Sequence, residues 1–232
     1  MGKDVIIALD FPDEEKAFAF LSKLGDARPY VKVGMELFYA AGPGIVRKLK
    51  ERGHKIFLDL KLHDIPNTVG HAMAVLTGLG ADMLNLHAAG GSEMMKAALE
   101  GVTRPDGTRP VLIAVTQLTS TSPEMLKNEL LIETPLEDTV LAYARNAQAS
   151  GLDGIVCSPR EVEKIHGAMG REFVTVTPGI RFADSAKDDQ VRIATPEKAK
   201  EWGSDYIVVG RPITAAEDPL AAYRRCVKEF VD

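Results

Sequence analysis

Between Ile56 and Val69 the chain reads IFLDLKLHDIPNTV, which places Asp59, Lys61 and Asp64 within six positions. On a β-strand, residues two apart point to the same face. Asp59 and Lys61 are therefore expected side by side, with Leu58, Leu60 and Leu62 on the opposite face. Asp64 falls past the expected strand end, and Pro66 suits the first turn of a following helix. A carboxylate and an ammonium about 4 Å apart attract by roughly 4 kcal/mol at an effective dielectric of about 20. Enclosing both in a fold still costs desolvation, so a core strand gains little by carrying them. Lys32 lies in a second strand-like run, YVKVG, which a barrel would set beside the first. Lys32, Asp59, Lys61 and Asp64 could then alternate in sign, each keeping its neighbours charged. Such an array can hold a lysine as a positioned proton donor, or set a carboxylate against an anionic substrate. The bland alternatives are a structural ion-pair network and a solvated edge-strand lysine.

Two further segments suit an anion. VGRPI, Val209–Ile213, offers Gly210, where backbone N–H groups can approach a phosphate, and Arg211, which can grip one bidentately. TPGIRFADSAKDDQ, Thr177–Gln190, is polar and long. It reads either as a lid that brings Arg181 and Gln190 to a phosphate or as a solvated loop. The five histidines show no metal-ligand spacing. His54 and His166 read as surface residues near helix ends, His87 as a hydrogen-bonded core residue, and His63 carries no role. Cys157 and Cys226 read as reduced core thiols. No nucleophile elbow, Walker loop or dinucleotide fingerprint occurs.

These residues need elements to position them. Apolar, β-branched runs predict eight strands at Val5–Leu9, Tyr30–Val33, Lys55–Leu60, Met83–His87, Val111–Val115, Gly154–Cys157, Phe173–Val176 and Tyr206–Val209. Amphipathic stretches between them predict helices at Asp13–Leu24, Pro43–Arg52, Pro66–Leu79, Ser92–Glu100, Glu137–Ala149, Pro159–Met169, Pro196–Trp202 and Ala221–Phe230, with an extra turn in Glu124–Leu131. Strict alternation implies parallel strands joined by crossover helices. Eight such units in 232 residues fit a single α/β domain, a closed (β/α)8 TIM barrel spanning residues 1–232, better than an open doubly wound sheet. Catalytic groups in such a barrel gather at the carboxyl ends of the strands. There lie Asp10, Lys32, Asp59 with Lys61, Asn85 with His87, Thr116 with Gln117, Ser158, Pro178 with Gly179, and Gly210 with Arg211.

Composition narrows the partners. At 45% hydrophobic, 26% charged and a net charge of −5, the chain does not suit a general nucleic-acid or membrane-surface binder. No apolar run reaches membrane-spanning length, and MGKDVIIALD lacks the form of a signal peptide or a myristoylation motif. A cytoplasmic location is the expectation.

DLKLHDIPNTV resembles the signature of the orotidine 5′-monophosphate decarboxylase family, an Asp-x-Lys-x-x-Asp pattern followed by Ile-Pro-Asn-Thr. The resemblance extends to ALDF at Ala8–Phe11, VKVG at Val31–Gly34, NLHAAGG at Asn85–Gly91, LTS at Leu118–Ser120, TPGIR at Thr177–Arg181 and VVGRPI at Val208–Ile213. The Asp-x-Lys-x-x-Asp pattern alone is shared with sugar-phosphate relatives. What the resemblance implies is a barrel enzyme that releases carbon dioxide from orotidine 5′-monophosphate without metal or organic cofactor, in de novo pyrimidine nucleotide synthesis. It implies a charged tetrad of Lys32, Asp59, Lys61 and Asp64, with Lys61 as proton donor. It also implies a homodimer in which Asp64, Ile65 and Thr68 enter from the other subunit. Asp10 and Lys32 would meet ribose hydroxyls, and Thr119 and Ser120 the pyrimidine. Pro178, Arg181, Gln190, Gly210 and Arg211 would form the lid and phosphate grip. The alternatives are a metal-dependent sugar-phosphate decarboxylase or aldolase of the same superfamily, and a catalytically silent phosphate-binding barrel.

Overall fold

The computed structural model of the chain describes residues 3–184 and 194–232. Eight parallel strands pair in chain order and close, the last on the first. They are β1 (Asp4–Ala8), β2 (Tyr30–Gly34), β3 (Ile56–Leu62), β4 (Met83–His87), β5 (Val111–Val115), β6 (Gly154–Val156), β7 (Val174–Thr177) and β8 (Tyr206–Val209). Closure runs through the pairs Asp4↔Tyr206, Val5↔Ile207, Ile6↔Val208 and Ile7↔Val209. The expected (β/α)8 barrel is thus the observed fold, and an open sheet is excluded.

The helices are α1 (Glu14–Ser22), α2 (Met35–Ala41), α3 (Gly44–Glu51), α4 (Pro66–Thr77), α5 (Gly91–Val102), α6 (Pro123–Asn128), α7 (Leu136–Ala149), α8 (Val162–Met169), α9 (Pro196–Glu201), α10 (Arg211–Thr214) and α11 (Pro219–Phe230). Helix starts follow local chemistry. Asp13, Ser122, Thr195 and Asp218 each accept a bond from a first-turn backbone N–H. Proline opens α4, α6, α9 and α11, where its missing N–H costs nothing. The short α2 and α10 are absent from the sequence expectation. Helix α2 buries Leu37 while Met35 and Tyr39 stay exposed, so its apolar residues trace no single face.

Strand alternation builds two cores. Leu58 and Leu60 point outward into the large core between strands and helices, with Leu62 packed against it. Ile6, Ala8, Tyr30, Phe57, Met83, Ile113, Val174, Val176, Tyr206 and Val208 fill the barrel interior. Two residues further along three of those strands, toward the carboxyl ends, stand Lys32, Asp59 and Asn85. The barrel is therefore an apolar plug with a polar mouth, the usual arrangement of such a fold.

Candidate active site

Asp59 is the centre of the mouth. It is 7% exposed and lies between two lysines: Lys61 Nζ is 2.7 Å from Oδ1 and Lys32 Nζ is 3.4 Å from Oδ2. The Asn85 amide also donates to Oδ1 at 2.7 Å. Lys32 bridges onward to Asp10, with Nζ 3.0 Å from Oδ1. Burial alone would raise the Asp59 pKa, but Lys32 and Lys61 outweigh it and hold the carboxyl below its ordinary value. Burial likewise works against the charged Lys32, and Asp59 and Asp10 reverse it, holding the ammonium above its ordinary pKa. Asp59 and Lys32 are thus each held in the charged form by the other. Gly34 makes room for it: a Cβ there would come within 2.9 Å of Lys32 Nζ.

The backbone at Lys61 departs from a plain strand. Its φ is 52°, in the left-handed region where a residue with a side chain is strained by about 1 kcal/mol or more. The β3–β4 register shifts between the pairs Leu58↔Leu84 and Leu62↔Leu86, so Asp59, Leu60 and Lys61 together face Asn85. The Lys61 N–H bonds to the Asn85 side-chain oxygen at 2.9 Å. Asp59 and Lys61 do meet, as the two-residue spacing predicts. They meet across a bulge, not along a regular pleat.

A cavity of about 190 Å³ opens over this cluster, lined in part by Lys32, Asp59, Lys61, Thr119 and Pro178 among the expected residues. Its apolar wall includes Phe57, Val115, Leu118, Val156 and Val208. That combination suits a partly apolar group with a charge to be managed at one edge. Ser120 is exposed on the turn after β5. Gly210 caps the start of α10, where a Cβ would lie 4.0 Å from Asp10 Oδ2, and Arg211 follows it, exposed. Arg181 is buried, with Nη1 donating to the carbonyl of Ile180 at 2.8 Å. The ends of its loop are tied by Arg181 N–H to Ala194 O at 3.0 Å and Ala194 N–H to Gly179 O at 3.1 Å. Gln190 lies outside the described residues.

Asp64, Ile65 and Thr68 do not join the cluster within one chain. All three are exposed, and the Asp64 carboxylate accepts the N–H of Ile65 at 2.6 Å. Inside one chain the fourth charged partner is Asp10.

Asn85 was visible in the sequence only as a strand-end residue without a role. Its link to Asp59 spans 26 positions and leaves no local pattern. Two histidines correct the sequence reading. His54 is buried, its Nδ1–H donating to Pro29 O at 2.9 Å, and His166 is buried 3.4 Å from Asp205. Each lies on an inward face that a helix-end position does not reveal. His87 departs from its reading as well: it is half-buried against His63, ring centroids 5.7 Å apart, and its ring has no hydrogen bond among the described residues. Cys157 and Cys226 are buried free thiols, as expected.

Fold and site together define a barrel enzyme with a lysine–aspartate centre at its carboxyl mouth. Residues 3–226 match the family model described as Orotidine 5'-phosphate decarboxylase / HUMPS family, and the chain belongs to that family. A protein of Bacillus cytotoxicus named orotidine 5'-phosphate decarboxylase is 59% identical over 99% of this chain and 98% of its own. One of Bacillus mycoides with the same name is 58% identical over the same shares. The crystal structure of orotidine 5'-phosphate decarboxylase from Lactobacillus acidophilus superposes with a TM-score of 0.89 at 50% identity, covering 99% of this chain and 100% of that one.

Proposed function

We propose that the chain converts orotidine 5′-monophosphate to uridine 5′-monophosphate and carbon dioxide, a step of pyrimidine nucleotide synthesis. The observation that carries this reading is the Lys32–Asp59–Lys61 cluster, its carboxylate buried and Lys61 Nζ 2.7 Å from Asp59, under a cavity with an apolar wall. Breaking the bond from C6 to the carboxylate releases carbon dioxide and leaves an electron pair in the ring plane, where the π system cannot take it up. Lys61 sets an ammonium beside that pair and then gives C6 a proton. Asp59 keeps the ammonium charged and stands where it repels the substrate carboxylate. This chemistry needs no metal or organic cofactor, because one lysine supplies both charge and proton.

The remaining roles proposed are those that the family resemblance implies. Asp10 and Lys32 hold ribose hydroxyls. Thr119 and Ser120 meet the pyrimidine. Pro178, Arg181, Gln190, Gly210 and Arg211 enclose and grip the phosphate, whose binding energy organises charges far from it. Asp64 completes the tetrad from a partner subunit, with Ile65 and Thr68 beside it. The exposure of Ile65 (66%) and Val75 (69%) on and beside α4 supports a homodimer through this face. A cytoplasmic location accords with this chemistry, and no described helix is long and apolar enough to cross a membrane.

Two variants test these roles. Lys61→Ala should abolish turnover while circular dichroism stays native; near-normal turnover would remove Lys61 from the proton transfer. Arg211→Ala should weaken uridine 5′-monophosphate at least tenfold more than uridine, an excess of about 1.4 kcal/mol. Equal losses would take Arg211 out of the phosphate site.

A further inference from the structure

Strand β3 carries Asp59, Leu60 and Lys61 where β4 offers Asn85 alone, so the backbone ladder cannot be completed there. The Asn85 side chain fills the gap. Its oxygen accepts the Lys61 N–H at 2.9 Å and its nitrogen donates to Asp59 Oδ1 at 2.7 Å. An amide carries an acceptor and a donor on separate atoms, so it can serve an N–H and a carboxylate at once, and it does so here in a single orientation. The same Asp59 oxygen receives Lys61 Nζ at 2.7 Å. Asn85 thus holds both ends of Lys61: the left-handed backbone at its root and the carboxylate at its tip. Asn85 is 2% exposed and is not among the residues lining the cavity.

We propose that Asn85 is a positioning residue of this site, fixing the bulge that aims the Lys61 ammonium at the reacting carbon. The proposal rests on the reading of Lys61 as proton donor. It predicts that Asn85 acts on the chemical step and leaves substrate affinity nearly alone, because it touches lysine and aspartate and not the phosphate or ribose groups.

The experiment compares wild type, Asn85→Leu and Asn85→Asp with orotidine 5′-monophosphate from about pH 5 to about pH 9. Asn85→Leu keeps the volume and removes both bonds, and kcat should fall about 100-fold with KM within about threefold. Asn85→Asp places a carboxyl against Asp59, which raises its pKa. Protonated, that carboxyl donates to Asp59 and accepts from Lys61, restoring the wild-type pattern; ionised, it repels Asp59. Its kcat should therefore approach wild type at the acid end and fall as pH rises, a limb the wild type lacks.

Retention of wild-type kcat by Asn85→Leu, or a wild-type pH profile for Asn85→Asp, would overturn the proposal. A parallel shift of kcat and KM would overturn it as well, since that marks a merely structural role. Should Asn85→Leu fail to fold, the profile of Asn85→Asp decides alone. A wild type without turnover would sink the decarboxylase reading instead. The contact on which the claim stands, Asn85 to Asp59, would then be tested by the Tm of Asn85→Asp, which should drop relative to wild type as pH rises and would contradict that contact if it did not.

Discussion

At the scale of single residues, the site is a problem of keeping charges alive under burial. Asp59 solves it for two lysines at once, and both pay for their enclosure through it. Asp59→Asn should therefore leave Lys32 and Lys61 facing each other, lower the Lys32 pKa and destabilise the fold by about 3 kcal/mol, read by urea unfolding. Turnover should fall at least 100-fold; a variant that keeps wild-type turnover would show that the carboxylate is dispensable. Gly34→Ala tests the space rather than the charge. The added Cβ would sit 2.9 Å from the movable Lys32 Nζ, so stability should change by less than about 1 kcal/mol while kcat drops about tenfold. The residue types were legible in the sequence, because a strand with period two puts Asp59 and Lys61 on one face. The left-handed Lys61 and its Asn85 partner were not, since both depend on a register shift between strands β3 and β4.

At the scale of elements, α4 matters most, because it begins directly after the exposed Asp64–Ile65 segment. Its position is set by α5 through facing glycines: a Cβ on Gly101 would lie 2.1 Å from the Gly70 carbonyl oxygen. Backbone atoms cannot yield as a side-chain tip can. Gly101→Ala should force the two helices apart and cost about 3 kcal/mol, read as a lower Tm. Unchanged stability would mean that this contact does not set the helix spacing. All eight strands were legible, as were the amphipathic helices, because periodicity reports which face is buried. Helix α2 was not, because Met35 and Tyr39 remain exposed and blur its pattern. His54 and His166 escaped for a related reason: a lone polar residue on an inward face looks like one on an outward face until the packing is known.

At the scale of the whole molecule, closure brings β1 beside both β2 and β8 and so sets Asp10 next to Lys32 and Gly210. The same closure couples the site to global stability. Asp59 titrates below its ordinary value of 3.8 in the folded chain, so its contribution is present above that pH and is lost as pH falls through the lower folded value. Lys32 titrates above its ordinary 10.5, so its contribution is full below that pH and is lost as pH rises through the higher folded value. Burial holds His54 below 6.5, so the fold should also lose some stability as pH drops below that point and the unfolded chain takes up the proton. Tm against pH should show a broad neutral plateau with a first decline beginning near 6.5. Burial also lowers His87, so His54→Gln should shrink that first decline and leave the part due to His87; an unchanged decline would contradict the role given to His54.

The central claim is that the lysine–aspartate mouth decarboxylates a pyrimidine nucleotide unaided. The direct measurement is ultraviolet absorbance of the purified protein with orotidine 5′-monophosphate, with EDTA present throughout. The orotate chromophore should disappear and uridine 5′-monophosphate appear at an undiminished rate. No change in EDTA, followed by turnover of 3-keto-L-gulonate 6-phosphate once magnesium is restored, would contradict it and assign the barrel to metal-dependent sugar-phosphate chemistry.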